Sequence, residues 1–195
     1  MLTNLVRPGD GAAGTLQSAA DLATEWEDRE AVFWIDMENP TEEEVRNVDA
    51  MIDLDDEAWD DCLHGEQRPR IDEYEKYPFL VCYGLLDPDR GTKGQPRKLA
   101  VFCGDRFLLT VHREPLASID RLRTRCRQHG AQLLQFGVDH LLYNILDAMA
   151  ESQGPDQFLG GDRGHGFGRR RVVVVLLAQA MGIVRGGTQG CRQCV

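Results

Sequence analysis

An eight-residue apolar run at positions 79–86 (FLVCYGLL) determines the architecture that we expect of this chain. A strand that is apolar on both faces must be covered on both faces, so its sheet needs helices on two sides. Other β-prone runs lie at residues 32–37 (VFWIDM), 98–103 and 107–111, and residues 67–77 suit an exposed strand. The sequence therefore predicts an α/β/α sandwich with a mixed sheet.

Helical segments alternate with these strands. Thr41 and Glu44 have the spacing of a capping box and introduce a helix with one apolar face, and a shorter helix is predicted over residues 56–64. Ser118 is predicted to cap a helix that ends at Gly130. Residues 138–149 form a strongly amphipathic pattern whose wide apolar face is expected to join the core.

The turn between the last two strands is predicted at Gly104 and Asp105. A two-residue hairpin turn of the primed type needs positive φ, which glycine adopts without strain. Residues 87–97, rich in Pro and Gly, are predicted to form a loop.

The 195 residues divide into three parts by composition. Residues 1–30 begin with a Gly-, Ala- and Ser-rich stretch and are expected to be a loose lead-in. Residues 31–150 carry the strand and helix patterns of one domain. Residues 151–195 hold ten of the 20 glycines and show no single structural period, so a disordered Gly/Arg-rich tail is expected.

The charge distribution constrains the partners. The formal charge of −10 disfavours a nucleic-acid partner and favours cations. Sixteen acidic residues fall within residues 25–61, so a cation site is expected nearer the front of the chain. No apolar run approaches the roughly 20 residues of a membrane span, and no secretion signal is evident, which predicts a soluble, cytoplasmic chain with reduced cysteines.

Residues 59–74 (WDDCLHGEQRPRIDEY) resemble a motif of the CorA family of magnesium and cobalt transporters: an acidic pair, a helix end, Gln-Arg-Pro, a basic residue and a hydrophobic-acidic pair. The resemblance continues in order through WIDMENPTEEE, FLVCYG, LLTVHREP, SIDRLR and VDHLLYNILDAM, over residues 32–150. It implies an α/β/α cytoplasmic domain whose last helix runs on to the membrane, with five subunits around one pore in the inner membrane.

The family pattern does not continue past residue 150. Two membrane helices and the Gly-Met-Asn signature of the family are not found in residues 151–195, and Met181-Gly182 is followed by Ile183. We therefore expect a chain that is truncated or frame-shifted after about residue 150. Translation of the downstream DNA in the other two frames is the test of this expectation.

The resemblance also implies metal-binding residues. Asp61, the second residue of the acidic pair, corresponds to the position that binds a divalent ion between neighbouring subunits. Asp60 and Asp147 correspond to accessory acidic positions. Mg²⁺ keeps several waters and takes only one or two protein carboxylates, so few ligands are enough. The resemblance places the partner carboxylate of Asp61 further along the long helix, which is missing or replaced here, so Mg²⁺ or Co²⁺ is expected to bind weakly at an incomplete site. Without the resemblance, an acidic pair near a helix end is more often a solvated surface.

The expected function is that of the ion-sensing cytoplasmic domain of a divalent-ion transporter, which contacts the membrane only through full-length subunits and is not an enzyme. The alternative is a free-standing soluble module that binds a divalent cation or assembles with transporter subunits.

Other candidate chemistries have simpler explanations. Cys191 and Cys194 lack the second pair of ligands that a zinc site needs. Residues 160–168 (GGDRGHGFG) lack the order of a phosphate-binding loop. His112 with Cys103 or Cys126 has no third residue of a catalytic triad, and three arginines at 169–171 give weak attraction to anionic lipid.

Overall fold

A seven-stranded sheet organises the protein. The computed structural model describes residues 2–7, 14–16, 19–64, 68–85 and 96–152. The strands are β1 (Leu2–Arg7), β2 (Gly14–Leu16), β3 (Val32–Glu38), β4 (Arg70–Glu73), β5 (Pro78–Leu85), β6 (Pro96–Cys103) and β7 (Phe107–His112). The helices are α1 (Ala19–Glu25), α2 (Glu42–Ile52), α3 (Asp56–Leu63), α4 (Ala117–Leu134) and α5 (Val138–Ser152).

The sheet is mixed, as predicted. Its strand order is β2-β1-β3-β7-β6-β5-β4. Strands β3 and β7 are parallel, with Ile35 opposite Leu109, and every other pairing is antiparallel. The carboxyl ends of β3 and β7 therefore meet at one edge of the sheet.

Two apolar layers cover the sheet, because alternate side chains of each central strand point to opposite faces. Trp34 and Leu108 pack with α4 and α5 in one cluster, whereas Phe33, Ile35 and Leu109 pack with α1, α2 and α3 in the other. Each fully buried side chain of this size contributes roughly 1.5–3 kcal/mol. The predicted α/β/α sandwich is confirmed.

The prediction of a loose lead-in before residue 31 is wrong for the elements that the structure describes there. Strand β1 pairs antiparallel with β3, and β2 pairs with β1. Arg106 fixes the segment after α1, because its guanidinium donates to the carbonyls of Asp28 and Trp26, each at 2.9 Å, and lies 4.0 Å from the Trp26 ring centroid. These partners are distant in sequence, so a local pattern does not reveal them.

The start of α2 agrees with the prediction, whereas both ends of α4 differ from it. The Thr41 hydroxyl accepts from the Glu44 amide and the Glu44 carboxylate accepts from the Thr41 amide, which completes the capping box of α2. Ser118 does not cap α4, since the helix begins at Ala117 and the Ser118 hydroxyl is buried without a hydrogen-bond partner. Helix α4 also continues through Gly130 to Leu134, and the positive φ falls at Gly137 (83°).

The β6–β7 turn is shifted by one residue from its predicted position. The amide of Gly104 donates to the Phe107 carbonyl at 2.9 Å, so Asp105 and Arg106 form the turn. Gly104 does not have positive φ. A Cβ at this position would lie 2.1 Å from the Phe107 ring, so glycine is needed because the ring approaches closely.

Among the helices that the structure describes, none has the length and apolar character of a membrane span. The predicted disordered tail, apart from the last turn of α5, lies outside the described residues.

Candidate ion-binding site

The acidic pair Asp60–Asp61 lies near the end of the short helix α3. The Asp55 side chain caps this helix by accepting from the Glu57 amide at 3.0 Å. The Trp59 indole is buried and donates to the Asp49 carboxylate of α2 at 2.7 Å. Because the apolar face of α3 is held against the sheet in this way, Asp60 faces solvent and Asp61 lies at the margin of the packed layer.

Asp61 is already paired with a cation of its own chain. Its Oδ2 accepts from Nη2 of Arg70 on β4, and its side chain is only 20% exposed. Arg70 in turn donates through Nε to Asp72 at 2.6 Å, and the hydrogen bond and charge of Asp72, with the charge of Asp61, raise the Arg70 pKa. A divalent ion that binds Asp61 therefore competes with a positioned guanidinium.

Asp60 has a different environment. Its side chain is 77% exposed, and Oδ1 lies 3.1 Å from Nδ1 of His64, one turn further along α3. An exposed pair of this kind contributes little to stability. Asp60 is therefore free to reorient towards an ion.

Asp147 lies on the opposite side of the sheet. It belongs to α5, which packs in the layer of Trp34 and Leu108, whereas α3 packs in the layer of Phe33. Within the described part of the chain, no group of three or more His, Cys, Asp or Glu side chains is arranged to hold a metal ion. One chain thus brings Asp60 and Asp61 together and does not bring Asp147 to them.

Two cations that the sequence analysis missed hold the end of α3. Lys98 Nζ donates to the carbonyls of Asp61 at 2.8 Å and His64 at 3.2 Å, and Arg113 Nη2 donates to the Leu63 carbonyl. Helix α3 has no basic residue in its own last turn, although terminal carbonyls are stabilised by cations. The lack of a basic residue in the last turn indicated that a cation from elsewhere in the chain was needed. The sequence did not indicate which one, because the donors lie 34 to 50 residues away.

A buried ionic network on the other face of the sheet was also missed. Asp36 is 2% exposed; its Oδ1 accepts from Thr110 at 2.6 Å and lies 3.3 Å from Nε2 of His112, and its Oδ2 accepts from Arg123 of α4. Nδ1 of His112 lies 2.7 Å from the Glu114 carbonyl oxygen. The network joins the parallel pair β3–β7 to α4.

Each ionised group in this network stabilises the ionised form of its partner. Burial alone would raise the pKa of Asp36, but the interactions with His112, Arg123 and Thr110 outweigh it and lower that pKa. Burial alone would lower the pKa of His112, but Asp36 outweighs it and raises the pKa above 6.5. His112 is therefore a structural histidine.

The cysteines of the described residues do not have the character of nucleophiles. Cys62, Cys82, Cys103 and Cys126 are free thiols, and burial raises the pKa of each to about 12. This agrees with the expectation of reduced thiols. Cys191, Cys194 and residues 160–168 lie outside the described residues.

Comparison with known proteins identifies the family of this layered domain, which has an acidic pair before a Gln-Arg-Pro-Arg segment. Residues 29–154, more than half of the chain, match the family described as CorA-like Mg²⁺ transporter protein. The chain belongs to this family, as the resemblance predicted.

Two curated relatives agree with this assignment. The putative metal ion transporter YfjQ of Bacillus subtilis is 26% identical over 125 residues, which cover 64% of this chain and 38% of the relative. The cobalt/magnesium transport protein CorA of Methanocaldococcus jannaschii is 26% identical over 124 residues, 62% of this chain and 38% of the relative. The match therefore spans well under half the length of these relatives, both of which are named as transport proteins.

Solved structures share the fold. The full-length CmaX protein aligns with a TM-score of 0.62 and 16% identity, covering 93% of this chain and 50% of that one. The soluble domain of CorA from Methanocaldococcus jannaschii aligns with a TM-score of 0.58 and 21% identity, covering 78% of this chain and 56% of that one. The fold is that of the CorA soluble domain.

Proposed function

We propose that this chain acts as the ion-sensing, cytoplasmic domain of a CorA-type transporter of Mg²⁺ or Co²⁺, and that it has no enzymatic activity. The observation that carries the proposal is the position of Asp60 and Asp61 near the end of α3, shortly before the Gln-Arg-Pro-Arg segment of a CorA-family domain. Contact with the membrane is made through full-length subunits.

The sensing group in this proposal is the Asp61 carboxylate. Hydrated Mg²⁺ is held by one or two protein carboxylates, so Asp61 with a carboxylate of a neighbouring subunit is a sufficient set of protein ligands. A shared ion favours the state in which the two subunits are close, and mutual repulsion of the carboxylates favours their separation when the ion is absent. Asp147 takes part from a neighbouring chain, because the sheet separates it from Asp61 of the same chain.

Weak ion binding by a single chain follows from the Arg70 contact. The ion has to displace a guanidinium that Asp72 holds in place. Removal of Arg70 leaves the Asp61 carboxylate without its cation, so the affinity for a divalent ion should rise. Two unit charges about 4 Å apart interact by about 1 kcal/mol in water and about 4 kcal/mol near a protein surface, so a change of about tenfold in affinity is expected at this partly exposed site.

Isothermal titration with Mg²⁺ and Co²⁺ tests whether Asp61 binds the ion and whether Arg70 competes with it. We expect Asp61→Asn to remove binding and Arg70→Gln to tighten it about tenfold. Arg68→Gln is the matched control, because Arg68 is an exposed arginine of the same segment and its replacement changes the net charge equally. Undiminished binding by Asp61→Asn would contradict the proposed site, and equal affinities of the Arg70 and Arg68 variants would contradict the competition.

A further inference from the structure

The edge of the sheet where β3 and β7 end has a second feature, separate from the acidic pair. A cavity of about 530 Å³ opens there between the strand ends and the end of α3. Asn39 follows β3, His112 and Arg113 come from the end of β7, and Lys98 and Tyr83 come from β6 and β5. In open α/β sheets, ligands bind in the crevice outside the carboxyl ends of parallel strands, and β3–β7 is the parallel pair of this sheet.

The charge of this cavity is opposite to that of the chain. Among the residues that the structure describes, its lining holds three cations, Arg97, Lys98 and Arg113, and one carboxylate, Glu114. Arg97 Nε pairs with Glu114. The described part of the lining thus carries a net positive charge, in a chain with a formal charge of −10.

Lys98 and Arg113 each donate to backbone carbonyls at the end of α3. The hydrogen bonds from Lys98 to the Asp61 and His64 carbonyls and from Arg113 to the Leu63 carbonyl orient both cationic groups at the cavity. Burial lowers the pKa of Lys98, and the charges of Arg113 and Arg70 lower it further, whereas Asp61 opposes the shift. An anion between these groups would relieve their mutual repulsion.

The remaining walls suit a small molecule rather than a bare ion. Cys62 is buried, and its thiol, with a pKa of about 12, is neutral and does not repel an anion. Leu63, Val111 and Tyr83 supply apolar surface. A volume of about 530 Å³ lies within the 300–1,000 Å³ typical of small-molecule sites.

We infer that this cavity, with Lys98 and Arg113 as its anion-binding groups, binds a small phosphorylated molecule. The phosphate accepts from the Lys98 ammonium and the Arg113 guanidinium, the two groups that also hold the end of α3. The competing explanation is that the two cations serve only to cap α3. That explanation predicts loss of stability on their removal and no binding of phosphate compounds.

Isothermal titration with inorganic pyrophosphate, in a buffer with EDTA and without divalent ions, separates the two explanations. We expect saturable binding that Arg113→Gln and Lys98→Gln each weaken by at least about tenfold, because each replacement removes a charge-assisted hydrogen bond to the phosphate. Lys98→Arg, which keeps the charge, should restore part of the affinity. Arg113 is exposed, so its replacement tests the site even if Lys98→Gln does not fold.

Arg46→Gln is the control for net charge, because Arg46 is exposed on α2 and does not line the cavity. The titration contains EDTA and no divalent ion, which keeps this test separate from the divalent-ion site. Absence of saturable binding in the parent chain overturns the inference. Equal weakening by the Arg46, Lys98 and Arg113 variants also overturns it.

Discussion

Replacement of Asp36 by asparagine tests the buried network that joins the parallel strands to α4. Asparagine keeps the shape of the side chain and an acceptor for the Thr110 hydroxyl, which lies 2.6 Å from Asp36 Oδ1. It removes the negative charge that faces His112 and Arg123, whose side chains are 1% and 11% exposed. Two nearly buried cations then lose their shared counter-charge.

The expected loss of stability is at the lower end of the range for a broken buried ion pair. Removal of one partner of such a pair costs roughly 3–5 kcal/mol. Arg123 keeps Asp120 at 3.3 Å and Glu38 at 3.7 Å, which limits the cost. We therefore expect Asp36→Asn to lower the free energy of unfolding by about 3 kcal/mol near pH 6.

The pH dependence follows from the two shifted pKa values. The raised pKa of His112 gives a stabilisation that is complete below 6.5 and is lost as the pH rises through the folded-state pKa. The lowered pKa of Asp36 gives a stabilisation that is present above 3.8 and is lost as the pH falls through the folded-state pKa. The difference between parent and variant should therefore be largest between these limits and smaller at alkaline pH.

Urea unfolding followed by far-UV circular dichroism, at about pH 5.5 and about pH 9, measures both effects. Asp53→Asn is the matched control, because Asp53 forms a highly exposed pair with Lys76 and asparagine tolerates its left-handed backbone (φ 59°). The control should leave the unfolding midpoint unchanged. A loss below about 1 kcal/mol at pH 5.5, or an equal loss at both pH values, would refute the argument.

Two further predictions concern the core. Gly104→Ala should destabilise the protein by about 1–3 kcal/mol, because a Cβ would lie 2.1 Å from the buried Phe107 ring. An unchanged midpoint of urea unfolding would contradict the close approach of this ring to Gly104. Cys62, Cys103 and Cys126 should resist alkylation at neutral pH in the folded chain and react in urea, because burial raises the pKa of each thiol to about 12. Peptide mapping by mass spectrometry measures the alkylation of each cysteine. Alkylation of these cysteines in the folded chain would contradict the prediction.

The central fold was predictable because its determinants are local. The apolar run at residues 79–86 fixes a strand that needs cover on both faces, and the capping box of Thr41 and Glu44 fixes the start of α2. Strand β1 was not predictable in this way, because what identifies it as a strand is its pairing with β3, which is not a local sequence pattern. Gly130 misled the prediction because tertiary packing of α4 outweighs the weak helix propensity of one glycine.

The candidate ion site was predictable only in part. Asp60 and Asp61 were identified by the resemblance of their segment to a family motif, which carries information about position along the chain. The competition by Arg70 and the cation pair at the end of α3 depend on which strands lie beside α3, and these strands are set by long-range pairing. The buried network of Asp36 and His112 had only a weak sequence signal, which is the position of these two ionisable residues towards the ends of apolar strands.

The parallel pairing of β3 with β7 has a consequence for the order of events during synthesis. Strand β3 leaves the ribosome well before residues 107–112, its partner in the centre of the sheet. Until those residues emerge, Phe33 and Ile35 are without the β7 side of their layer, and Asp36 is without Thr110 and His112. Because such long-range pairing is slow and leaves strand edges open, the nascent front half of this chain should be the segment that most needs protection from aggregation.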